Sequence, residues 1–137
     1  EVAREYATQE QRSWLIIDGP PGIGCPVIAS LTGVDQAIIV TEASQSGLHD
    51  FTRVAELCNH FKIPAFVIIN KADLDVSVTA LITTQAASLG IKLLGTLPYS
   101  QIFIEALVNQ KTILDFAPET PEAHLVRHIW QNLIEQM

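Results

Sequence analysis

Asp18 closes a run of four apolar residues, Trp14-Leu15-Ile16-Ile17, and is followed at once by Gly19-Pro20-Pro21-Gly22-Ile23-Gly24-Cys25-Pro26. A carboxylate at the carboxyl end of a buried strand, ahead of a glycine-rich turn, is where an open α/β sheet places a ligand-binding group. Such an acid can hold Mg²⁺, directly or through water, as a Walker-B residue, or it can cap the turn that follows it. The residue pattern fits both roles. The sequence Gly19 to Gly24 also matches the GxxxxG opening of a phosphate loop, which requires Lys and then Ser or Thr next. Here those positions are Cys25 and Pro26. Without the lysine, and with Pro26 removing a backbone donor, the stretch is a poor phosphate cradle and reads better as a tight strand-to-helix turn.

A second constellation, Asn70-Lys71-Ala72-Asp73, follows another apolar run and matches the NKxD pattern of nucleotide-base recognition. An amide both donates and accepts toward a base edge, and an acid at the fourth position can accept two N–H bonds from guanine. The same residues could simply form a polar loop that caps the next helix. Metal chemistry through histidine finds little support. His124 and His128 share a helix face at i, i+4, but no HExxH glutamate or third ligand accompanies them. His49 and His60 stand alone, and no Ser-His-Asp or paired-carboxylate arrangement is visible.

The elements that must position these groups follow from apolar periodicity. Trp14–Asp18 reads as strand one, Pro26–Leu31 as a short helix closed by Gly33, and Ala37–Thr41 as a second strand buried on both faces. Ser44 or Ser46 caps a long helix with the stripe Leu48, Phe51, Val54, Ala55, Cys58 and Phe61, which Pro64 stops. Ala65–Ile69 is strand three. Ser77 caps a helix ending at Gly90, and Ile91–Leu97 is strand four. Gln101 opens a short helix, and Thr112–Phe116 is extended or loop. Thr120 and Pro121 open a last helix whose stripe is Leu125, Val126, Ile129, Trp130, Leu133, Ile134 and Met137. Its polar face lacks the Lys and Arg of a membrane-surface helix, so docking on the core is favoured. Strands alternating with helices imply right-handed crossovers and a parallel sheet. Asp18, Thr41, Asn70, Pro98 and Tyr99 would then share the carboxyl edge.

Composition narrows the function classes. The 137 residues fit one domain, and 48% hydrophobic against 17% charged residues suits a sheet covered on both faces. A net charge of −7 with no basic run argues against direct nucleic-acid binding. Cys25 and Cys58 form neither a disulfide framework nor a CxxC pair, no apolar segment is long enough to span a bilayer, and the polar start lacks a signal peptide's core. These features predict a cytoplasmic protein without membrane contact. The chain lacks a starting Met, which predicts that it begins inside a longer protein.

Four segments together resemble one family: Trp14 to Pro26, Ile39-Val-Thr-Glu-Ala-Ser-Gln-Ser-Gly-Leu-His-Asp50, Phe66-Val-Ile-Ile-Asn-Lys-Ala-Asp73 and Leu97-Pro-Tyr-Ser100. They look like the C-terminal portion of MinD/ParA/Mrp-type P-loop ATPases (the CobQ/CobB/MinD/ParA nucleotide-binding domain), in the branch that carries an inserted ferredoxin-like domain. The resemblance implies a three-layer α/β fold, with a mostly parallel sheet and helices on both faces. It also implies that the phosphate-loop strand, which belongs between the strands ending at Asp18 and Thr41, is lacking here. The expected organisation is a single partial domain over 1–137, with a polar tail at 1–12, a sheet-and-helix core at 13–116 and a C-terminal helix at 117–137. ATP and Mg²⁺ are the implied cofactors of the intact protein, with any 4Fe–4S cluster confined to the absent ferredoxin insert.

Carried onto this sequence, the resemblance makes Asp18 the magnesium acid, acting through water, and places Gly22 in the switch loop. Asn70 reads the base with Lys71 and Asp73 in its loop, and Pro98 and Tyr99 flank the base. The chain departs from the family at Ala43 and Ser100, where Pro and Asp are usual, and it has no phosphate-loop lysine. It would therefore be inactive for hydrolysis alone, and its uncovered sheet edge invites a homodimer or other self-association. Two further readings stay open: a guanine-nucleotide switch, which Asn70 to Asp73 suits as written, and a non-catalytic interaction module.

Overall fold

The computed structural model describes residues 2–136. Three strands form a parallel sheet in the order β1 (Ala37–Glu42), β2 (Ala65–Asn70), β3 (Lys92–Thr96). Around them lie α1 (Val2–Gln9), α2 (Cys25–Leu31), α3 (Gln45–His60), α4 (Val76–Ser88), α5 (Gln101–Val108), α6 (Ile113–Phe116) and α7 (Pro121–Ile134). β1 and β2 are rich in Ile, Val and Phe, which fit a pleated surface, and β3 contributes Leu93 and Leu94. Consecutive residues feed two separate cores. Ile39, Val67 and Ile69 pack with Phe51, Ala55 and Cys58 of α3 and with Val78, Ile82 and Ala86 of α4. On the other face, Phe66 and Leu94 meet Ile129 and Leu133 of α7. The result is three layers, with helices on both faces of the sheet.

Local chemistry sets the helix ends. Ser44 caps α3 by accepting from the Gly47 amide at 3.0 Å, and Thr120 caps α7 by accepting from the Ala123 amide, with Pro121 in the first turn. Helix α4 is capped by Asp75 and not by the expected Ser77. Asp75 Oδ1 accepts from the Val78 amide at 3.0 Å, and Ser77 donates to the same oxygen at 2.5 Å. These bonds hold the Asp75 carboxyl below its usual range, the Ser77 bond contributing most. The segment expected to be extended after Thr112 is instead the one-turn helix α6, because Thr112 Oγ1 accepts from the Asp115 amide and starts a turn. Met137, expected on the α7 stripe, lies outside the described residues.

The largest correction concerns Trp14–Asp18, which is not a strand. Its residues pair with no neighbour, and Ile16 is 77% exposed. An apolar run becomes a strand only when another strand satisfies its amides and its side chains find cover on both faces. Neither condition is met here, because a cleft of about 1310 Å³ separates the segment from β1. The two segments therefore do not pair directly, and a gap lies between them. Trp14 packs against Trp130 of α7, with ring centroids 5.2 Å apart, and both rings line the cleft.

Candidate functional site

The carboxyl edge of the sheet gathers the polar ends of the strands. Parallel register sets Glu42 beside Asn70, and the Lys71 ammonium donates to Glu42 Oε2 at 3.1 Å. Lys71 takes a left-handed backbone (φ 52°), and its amide donates to Asn70 Oδ1 at 3.0 Å. This short bond orients the Asn70 carboxamide while leaving its N–H₂ group as a donor. The β1–α3 turn is built as tightly. Buried Thr41 donates to the Gly47 carbonyl at 2.9 Å, and a Cβ on Gly47 would meet the Glu42 carbonyl oxygen at 2.2 Å. Only glycine lets α3 start this close to the strand.

Residues 97–100 close the other side of the same edge through several anchors. The Leu97 amide donates to the Ile69 carbonyl at 2.9 Å, and the Ala72 amide donates to the Leu97 carbonyl at 3.0 Å. The Tyr99 amide donates to Asp73 Oδ1 at 2.6 Å, and Ser100 donates to Glu122 of α7 at 2.7 Å. The Ser100 bond holds the Glu122 carboxyl below its usual range. Asn70, Lys71, Asp73, Pro98 and Tyr99 are thus brought into one cluster, with Tyr99 exposed.

Asp18 and Gly22 lie elsewhere, on the loop that walls the large cleft opposite β1. Thr41, Glu42, Ser46 and Asp50 line the facing wall, so Glu42 joins the cleft to the Asn70 cluster. Gly22 has φ 92°, a left-handed value that side chains resist, and nothing lies within 4 Å of where its Cβ would stand. The loop therefore bends at Gly22 without being wedged by neighbours. The sequence pattern did not single out Glu42 or Glu122. Glu42 could have been found from the matched polar ends of two parallel strands, whereas Glu122 is brought to Ser100 only by the docking of α7.

The structure superposes on Pyrococcus furiosus cell division ATPase MinD with a TM-score of 0.80 over 96% of this chain and 55% of that one, at 14% identity. The chain has the MinD/ParA fold. Pyrococcus horikoshii MinD, whose structure is a complex with Mg-ADP, matches with a TM-score of 0.74 over 87% of this chain and 49% of that one, at 16% identity. In sequence, the chain is 35% identical over 71 residues to an uncharacterised protein of Methanocaldococcus jannaschii, covering 52% of this chain and 26% of that protein. It is 30% identical over 107 residues to an uncharacterised ATP-binding protein of the same organism, covering 76% of this chain and 39% of the relative. The chain therefore spans well under half the length of these curated relatives and about half of the solved MinD chains. No protein-family model matches it.

Two of the differences from the MinD/ParA/Mrp pattern find a local reason. Ala43 keeps an N–H that donates to the Asn70 carbonyl at 3.3 Å, a bond that Pro would remove. Ser100 donates to Glu122, where an Asp would set two carboxylates against each other. The donor set fits part of a magnesium–nucleotide group. Asn70 offers a carboxamide N–H₂ donor, and Asp18 offers one carboxylate, which suffices for Mg²⁺ when phosphates and water complete its shell. The described residues contain no group of three His, Cys, Asp or Glu side chains able to hold a metal unaided. The turn from Gly19 to Gly24 brings no lysine to phosphates. No helix among the described residues is long and apolar enough to cross a membrane.

Proposed function

We propose that the chain is the base-recognition and switch part of an ATP-binding, ATP-hydrolysing switch protein of MinD/ParA type. The observation that carries this reading is the convergence of Asn70, Lys71, Asp73, Pro98 and Tyr99 at the carboxyl edge of a parallel sheet, linked through Glu42 to the cleft that Asp18 faces. Asn70 reads the base, and Pro98 and Tyr99 flank it. Asp18 holds Mg²⁺ through water, and the Gly22 bend lets the switch loop respond to the terminal phosphate. The Mg-ADP complex of the Pyrococcus horikoshii protein and the ATP-binding Methanocaldococcus relative support this assignment. The motif resemblance to the ferredoxin-bearing branch extends it to an iron–sulfur-associated ATPase in a cytoplasmic setting, with any cluster held by cysteines of the insert and not by Cys25 or Cys58.

Most of an ATPase's grip on its nucleotide comes from phosphate contacts, which this chain does not supply. Calorimetry is expected to find no micromolar ATP affinity in the chain alone and to find it in the longer protein. There, Asp18→Asn should lower turnover about 100-fold or more, the scale on which removing one stabilising contact acts. Micromolar binding by the chain alone, or unchanged turnover in the variant, overturns the reading.

The cleft beside β1 is the seat of a further strand. Val40 on the β1 edge is 65% exposed, and such an edge recruits another chain when its own partner is missing. Light scattering on the isolated chain should therefore find dimers or larger species, with Val40→Lys restoring the monomer. A clean wild-type monomer rules out self-association.

A further inference from the structure

Glu42 has both carboxylate oxygens in use, and each leads to a different part of the molecule. Oε2 accepts from the Lys71 ammonium at 3.1 Å, and Oε1 accepts from the Ser44 hydroxyl at 3.3 Å. A hydroxyl has one hydrogen and two lone pairs. With its hydrogen on Glu42, Ser44 accepts from the Gly47 amide at 3.0 Å and from the Ser46 hydroxyl at 3.1 Å. Glu42 thereby fastens the first turn of α3 to the side chain of Lys71.

Lys71 in turn holds Asn70. Its backbone is left-handed at φ 52°, a conformation that residues with a side chain resist. Two bonds keep it there: the Leu74 amide donates to the Lys71 carbonyl at 3.1 Å, and the Lys71 ammonium donates to Glu42. From that position the Lys71 amide donates to Asn70 Oδ1 at 3.0 Å. The Glu42–Lys71 pair is about half exposed, so solvent screening leaves it little weight in overall stability, and its effect is on position. We propose that Glu42 is a positioning residue which, through Lys71, presets the Asn70 carboxamide so that its N–H₂ group meets a bound base. This rests on the nucleotide-binding reading given above. The competing role lies on the cleft side, where Glu42 also forms part of the wall and would act on the metal and phosphates instead.

The test uses the longer protein, with ATP and with inorganic triphosphate, which has no base. Glu42→Ala and Lys71→Met should each weaken ATP binding and raise its KM about fivefold, the scale of one hydrogen bond, with kcat at saturation unchanged. The double variant should bind no more weakly than either single one, because both changes cut the same tie. Glu42→Gln keeps an acceptor for Lys71 and should recover most of the affinity. Triphosphate should bind the wild type and Glu42→Ala equally, since it offers Asn70 nothing to read. In the 137-residue chain, Glu42→Ala should mobilise the Asn70 side-chain N–H₂ group, seen as a drop in its heteronuclear NOE, while the Val67 and Ile69 amides of β2 stay protected from exchange.

Weakened triphosphate binding in Glu42→Ala would move Glu42 to the metal and phosphate side and overturn the proposal. Additive losses in the double variant, or an Asn70 side chain as ordered in Glu42→Ala as in the wild type, also overturn it. If the wild-type longer protein binds neither ATP nor triphosphate, the nucleotide reading fails and this proposal fails with it. ATP binding that is indifferent to Glu42→Ala defeats this proposal alone.

Discussion

Ile17 and Ile69 each stand near the end of an apolar run that leads into a polar turn, yet one is half exposed and the other fully buried. Ile69 belongs to β2, which has a strand on each side and a helix layer over each face. Ile17 belongs to a segment that lines a cleft and packs through the Trp14–Trp130 contact. Equal hydrophobicity thus produced unequal structure. A strand is defined by its neighbours, and burying one isoleucine contributes roughly 1.5–3 kcal/mol only where atoms stand ready to cover it.

The comparison can be broken most directly by truncating both residues. Ile69→Ala is expected to cost about 2–5 kcal/mol in denaturant unfolding, and Ile17→Ala well under about 1 kcal/mol. Equal losses would mean that Trp14–Ile17 is packed as a strand in solution. Two glycines sharpen the contrast at the next level. Gly47→Ala drives a methyl into the Glu42 carbonyl and should cost about 1–3 kcal/mol or more. Gly22→Ala meets open space and should cost only about 1 kcal/mol, from its left-handed backbone. A larger penalty at Gly22 than at Gly47 would reverse the assignment of rigid and yielding turns.

The smallest effect is electrostatic. The Glu122 carboxyl is lowered in the folded state by the Ser100 bond, so the ionised form favours folding. That contribution is complete above the ordinary glutamate range near about 4.3 and fades as pH falls through the lower folded value. Ser100→Ala should remove this acid-side dependence by lowering stability slightly at neutral pH while leaving it unchanged at the acid end. The check is a stability profile from about pH 2 to 7, and an unchanged profile in the variant would assign the acid loss to other carboxylates.

Much of the working edge was legible in the chain. Asn70 to Asp73 and Pro98-Tyr99 follow runs that could only be buried strands, and strands with intervening helices place their carboxyl ends together. The Ser44, Thr120 and Pro121 signals fixed two helix starts because each depends on bonds within a few residues. Asp75 displaced Ser77 as a cap through a choice between two local oxygens that residue type alone does not rank. The α6 turn was missed because four residues give no helical periodicity to read.

The order of residues along the chain determined which segments are apolar, where glycine and proline break them, and that Asn70, Asp73 and Tyr99 approach one edge. It could not determine whether Trp14–Asp18 would be a strand, because that depends on a neighbour that local sequence does not describe. It also could not determine what Asp73 does with its oxygens. That was decided when β3 settled beside β2 and brought the Tyr99 amide within hydrogen-bonding reach, a contact across 26 residues that exists only in the folded sheet.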